Sequence, residues 1–139
     1  MPSSRRQFLA LALATAGAAI PAASHAAPLP QFSTGIPPFV WSLTSFPGVG
    51  AIAEPGRYTV QFIIDGTVAV GADCNWAAGV WSGGDGAIDI TVTLSTLALC
   101  PEDSLGDPFV QALDAATGYT VSGGSLTLHG PSGDMTFTA

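Results

Sequence analysis

Beyond residue 38 the chain alternates between apolar and polar positions. Phe39-Val40-Trp41-Ser42-Leu43-Thr44 is rich in β-forming residues with a period of two, which predicts a first strand. Gly and Pro crowd residues 47–56, so that stretch reads as a loop. Tyr58–Ile64 and Thr67–Gly71 then flank Asp65-Gly66. Both of those residues tolerate positive φ, and the pair between two alternating runs predicts a β-hairpin. Further strands are expected at Gly79–Trp81 and Ala87–Leu94, separated by Ser82-Gly83-Gly84-Asp85-Gly86.

One segment has a helical period. In Asp107–Ala116 the residues Phe109, Ala112, Leu113 and Ala116 share one face, Pro108 suits a first turn, and Asp107 can cap the free amides. Strands resume at Tyr119–Val121, Ser125–His129 and Met135–Phe137, broken by Gly123-Gly124 and by a turn over 131–134. Short strands joined by tight turns make antiparallel neighbours, and a sheet of this size curls or closes to hide its edges. The pattern therefore predicts a mainly β domain, a small antiparallel barrel-like sheet of about eight strands with one short α-helix.

The first 38 residues follow a different pattern. Residues 1–26 carry Arg5-Arg6, an apolar run from Phe8 to Ile20 and the small-residue end Ser24-His25-Ala26, which predicts a twin-arginine-type export signal. The run is shorter than the roughly 20 residues of a membrane span. No Cys follows it, so the mature chain is expected without a lipid or membrane anchor. Residues 27–38 are Pro-rich and aperiodic and read as an extended leader, which leaves 39–139 as the folded domain. The predicted location is periplasmic or secreted.

Splitting the chain sharpens its charge. The 139 residues carry ten Asp and Glu against three Arg and no Lys. Arg5 and Arg6 belong to the signal, leaving Arg57 alone against all ten carboxylates. A chain so poor in cations cannot neutralise phosphates, so nucleic acid is excluded as a partner. The acidity favours solubility and repels anionic membrane. It would also draw in a cationic envelope protein or peptide, with strong salt dependence.

Few residues are candidates for chemistry. Cys74 and Cys100 are the only cysteines, and in an oxidising compartment they are a candidate disulfide; two buried free thiols are the alternative. His129 is the single His after the signal, so no zinc pattern forms and no metal or other cofactor is expected. There is no Gly-x-Ser-x-Gly elbow, and His129 in an alternating strand reads as a face residue. Glu102-Asp103 precede the helix, where acidic side chains suit its dipole. Gly83–Asp89 resembles one calcium β-roll repeat, but its second Asp stands one place late and the motif occurs once. No catalytic residue emerges. Asp73 and Asn75 flank Cys74 and read as a structural turn, since Asn accepts left-handed backbone. Trp76 and Trp81 stand close by, and whichever is exposed is the candidate contact surface.

Several of these residues recur in order. Asp65-Gly66, Cys74-Asn75, Gly79-Val80-Trp81, Ser95–Pro101, Phe109, Leu113, Tyr119, Leu126-Thr127-Leu128 and Met135-Thr136-Phe137 resemble the META domain of the bacterial HslJ heat-shock lipoprotein family, and Trp41-Ser42-Leu43 is similar to that family's opening Trp-x-Leu. The chain departs from the family in Asp73 where Gly is frequent, in Ala77 where an aromatic is common, and in lacking a lipidation Cys. The resemblance implies a compact antiparallel β fold with a helix, no catalytic activity, and a link to envelope stress. Two functions follow as expectations: a non-enzymatic, stress-related domain that binds a protein or peptide through an acidic, aromatic-containing surface, or a small-ligand carrier that uses the barrel interior.

Overall fold

The computed structural model describes residues 35–139. The export signal expected over 1–26, and the leader up to residue 34, lie outside the described residues. Nine strands pair antiparallel in one sheet, and from the third onward each pairs with the next along the chain. They are β1 (Val40–Phe46), β2 (Gly50–Ala51), β3 (Tyr58–Phe62), β4 (Thr67–Ala72), β5 (Asn75–Gly84), β6 (Ala87–Ser95), β7 (Gly118–Ser122), β8 (Ser125–Gly130) and β9 (Gly133–Thr138). Pairing of β1 with β9 closes the sheet, giving an eight-stranded barrel with the two-residue β2 as an extra strand on β1. Closure removes the sheet edges that alternating strands would otherwise expose.

The alternation read in the sequence is the alternation of burial. Trp41, Leu43, Tyr58, Val60, Phe62, Val68, Val70, Leu126, Leu128 and Phe137 point inward and are essentially inaccessible. Each contributes roughly 1.5–3 kcal/mol by leaving water. Two differences from the sequence reading have local causes. β5 runs on through Ser82-Gly83-Gly84, because Asp85 (φ 53) and Gly86 (φ 84) suffice for the turn. The loop over 47–56 contains β2 and begins the short 3-10 turn Pro55–Arg57.

The seam between β6 and β7 is held by one ladder pair, Ala87 with Gly118. The helix α1 (Gly106–Ala115) packs where β6 parts from β7, and its Asp114 Oδ1 accepts the Val92 N–H at 2.9 Å. Phe109 and Leu113 of α1 are fully buried, with Phe109 edge-on to Tyr58 and tilted against Phe137. The helix starts one residue before the expected cap Asp107, which sits instead in the first turn near the positive end of the dipole. Gly106 permits this start, since a Cβ there would lie 2.9 Å from the Ala72 carbonyl oxygen. With Trp41, Tyr58, Phe62, Phe109 and Phe137 filling the interior, the carrier expectation loses its premise of a hollow barrel. Among the described residues no helix is long and apolar enough to cross a membrane.

Candidate functional site

The turn from β4 to β5 organises one end of the molecule. Asp73 has left-handed backbone (φ 63), and Ala72 pairs with Asn75 across it. The positive φ thus falls on Asp73 and not on Asn75, which begins β5. Arg57 holds Asp73 in this unusual conformation with two bonds, Nε to Oδ1 at 3.0 Å and Nη2 to Oδ2 at 2.7 Å, while the Asp73 N–H donates to the Arg57 carbonyl. The guanidinium also grips Asp103 at 3.2 Å through both Nη atoms. These bonds to Arg57 hold the carboxyls of Asp73 and Asp103 below the usual range, with the Ser104 hydroxyl assisting at Asp73, and they raise the Arg57 pKa in turn. One cation therefore draws together the 3-10 turn before β3, the β4–β5 turn and the segment before α1.

Next to this cluster Cys74 and Cys100 form a disulfide, with Cα atoms 5.5 Å apart. Asn75 reinforces it. Its Oδ1 accepts the Ala98 N–H and the Thr96 hydroxyl, both at 2.7 Å, and its Nδ2 donates to the Ala98 carbonyl at 2.9 Å. Among described residues the carboxylates other than Glu54, Asp73, Asp103 and Asp134 have no basic side chain beside them, so the acidity is largely uncompensated.

The two tryptophans separate. Trp81 is buried in the core, edge-on to Phe62, with its Nε1–H donated to the Ile63 carbonyl, so it is no contact residue. Trp76 is 55% exposed on the outer face of β5. Register sets it in the outward row Ser42–Thr59–Gly71–Trp76, beside the row Val40–Gln61–Ala69–Ala78–Leu94. Small residues at Ala69, Gly71 and Ala78 leave a shallow groove of about 300 Å³, walled by Val40, Thr59, Gln61 and Trp76. Gly71 shapes that floor, because a Cβ there would lie 2.6 Å from Thr59 Oγ1. Periodicity alone could not find the groove, since the row is assembled from four strands.

The opposite side carries an arrangement that the sequence reading missed. His129 Nε2 lies 2.9 Å from Thr120 Oγ1, and its Nδ1 lies 2.9 Å from Asp134 Oδ1. Hydroxyl, imidazole and carboxylate are in line, yet they stand on the exposed outer face of β7–β9, where β8 is bonded on both sides and its amides are spent in the ladder. Acyl transfer needs donors aimed at a developing oxyanion as well as a hydroxyl and a base. No group of His, Cys, Asp and Glu among the described residues could hold a metal ion.

A model of the META domain matches residues 38–139. Among solved structures the barrel is similar to that of a DUF4847 family protein from Bacteroides vulgatus ATCC 8482, with a TM-score of 0.57 and 16% identity over 73% of this chain and 92% of that one. At that identity the likeness is one of fold. No curated protein matches the chain.

Proposed function

The chain belongs to the META-domain family, and from that premise we propose a non-enzymatic, HslJ-like protein, exported to the periplasm or beyond, that binds a cationic protein or peptide segment during envelope stress. The observation that carries this reading is Trp76, half exposed at the wall of a groove floored by Ala69, Gly71 and Ala78. An exposed aromatic beside a hollow is the usual anchor of a protein contact. The carboxylates Glu54, Asp73 and Asp103 gather at Arg57 near the β4–β5 turn and outnumber it, so an incoming segment that carries Lys or Arg is steered toward this end.

The test is calorimetric titration with a synthetic peptide of alternating Lys and Leu. Binding is expected at low salt, weaker as salt rises, and about tenfold weaker or more in Trp76→Ala. Equal affinity in Trp76→Ala overturns the assignment of the surface. Export has its own check: Arg5→Lys with Arg6→Lys is expected to leave the protein in the cytoplasmic fraction, and unchanged export refutes the twin-arginine signal.

A further inference from the structure

The segment between β6 and α1 has a property that neither the barrel nor the Trp76 groove requires. Thr96–Cys100 forms no regular element, yet the scaffold grips it at every second residue. The Thr96 N–H donates to the Trp76 carbonyl at 3.0 Å, Ala98 is clamped at both its N–H and its C=O by Asn75, and Cys100 is tied by the disulfide. A grip with a period of two is that of an extended strand, so residues 97 and 99 face away from the scaffold. Leu97 is 91% and Leu99 99% exposed, the highest values among the exposed large apolar residues. Their backbone amides have no partner among the described residues. The result is a bare strand edge with two apolar side chains about 6.6 Å apart along the chain.

We propose that Thr96–Pro101 is an inhibitory loop that enters the substrate cleft of a peptidase with an apolar primary pocket. Such a cleft takes its substrate as an added strand, with main-chain bonds for affinity and alternate side-chain pockets for specificity. This loop offers both, in a shape fixed before encounter. The ordering entropy that a free peptide loses on binding is already lost here to the disulfide and the Asn75 clamp. The same clamp opposes cleavage, because the Ala98 N–H and C=O stay bonded to the scaffold and the amide cannot swing away as a leaving group. Inhibition needs no covalent step. Glu102, exposed and directly after Pro101, selects a cleft whose rim is cationic.

The test uses the full chain with chymotrypsin and subtilisin as probe peptidases, reading hydrolysis of a small chromogenic peptide together with the mass of the protein. Competitive inhibition of at least one of the two is expected. In the double variant Leu97→Asp, Leu99→Asp it should weaken about tenfold or more at unchanged Tm. After reduction and alkylation the loop should be cut between residues 96 and 101 and inhibition lost. Trp76→Ala should retain inhibition within about twofold, so this loop and the Trp76 groove stand or fall separately. Absence of inhibition of both probes, or cutting of the oxidised loop as fast as an unfolded peptide, overturns the proposal.

Discussion

The outer faces of β3–β5 and β7–β9 rest on the same inward alternation and differ in what points outward. On β7–β9 the outward rows are Thr120–Thr127–Thr136 and Ser122–Ser125–Thr138, hydroxyls that water satisfies and, in Thr, β-branched stems that fit a pleated surface. Cross-strand Thr pairs add about 0.2–1 kcal/mol each, so this face stabilises the sheet. On β3–β5 the same positions hold Ala69, Gly71 and Ala78, with Trp76 at the margin. Gly in a strand interior weakens it, and an exposed Trp gains nothing from water. The second face thus forgoes stability that the first shows to be attainable, in keeping with the contact proposed for it.

The comparison can be broken from the inside outward. Phe137 points into the core that both faces share, so Phe137→Ala should lower stability by about 3–5 kcal/mol in urea unfolding and loosen both faces together. Replacing Cys74 and Cys100 by Ser should cost about 2–4 kcal/mol. Hydrogen exchange should then rise first over residues 96–105 and at Asn75, while β7–β9 keep their protection. Gly71→Val, which puts a Cβ 2.6 Å from Thr59 Oγ1, should cost about 1–3 kcal/mol, whereas Thr127→Val on the other face should stay within about 0.5 kcal/mol. Acid separates the two ends more gently. The carboxyls of Asp73 and Asp103 are held low by Arg57, so their stabilisation is fully present above the unfolded Asp pKa of about 3.9 and is lost as pH falls through their lower folded values. In thermal melts from pH 7 to pH 2, Arg57→Gln should lower Tm at neutral pH and flatten the acid limb.

Much of the fold was legible because alternation maps directly onto burial. The strands other than β2 and the first residues of β5, the Asp65-Gly66 hairpin (Gly66 φ 93) and the buried stripe of α1 follow from local pattern. The closure of β1 on β9 is a contact between chain ends that no local pattern encodes. At the site, the nearness of Cys74, Asn75 and Cys100 depends on how far the segment after β6 travels, and the Arg57 cluster joins residues from three separate segments. Trp76 and Trp81 differ by five positions, an odd offset, which places them on opposite faces of β5; assigning which one points inward needed the register with β4. The bonds that link Thr120 to His129 and His129 to Asp134 are likewise a product of cross-strand geometry, the first of them diagonal to the register.

The central claim is that the face around Trp76 is the contact surface and the threonine face is not. Titration of the isotopically labelled protein with the alternating Lys and Leu peptide, followed by amide NMR shifts, tests it directly. The account predicts salt-sensitive shifts confined to Val40, Gln61, Ala69, Gly71, Trp76 and Ala78, with Thr120, Thr127 and Thr136 unmoved. Shifts centred on the threonine rows, or none on the Trp76 face at saturating peptide, would contradict it.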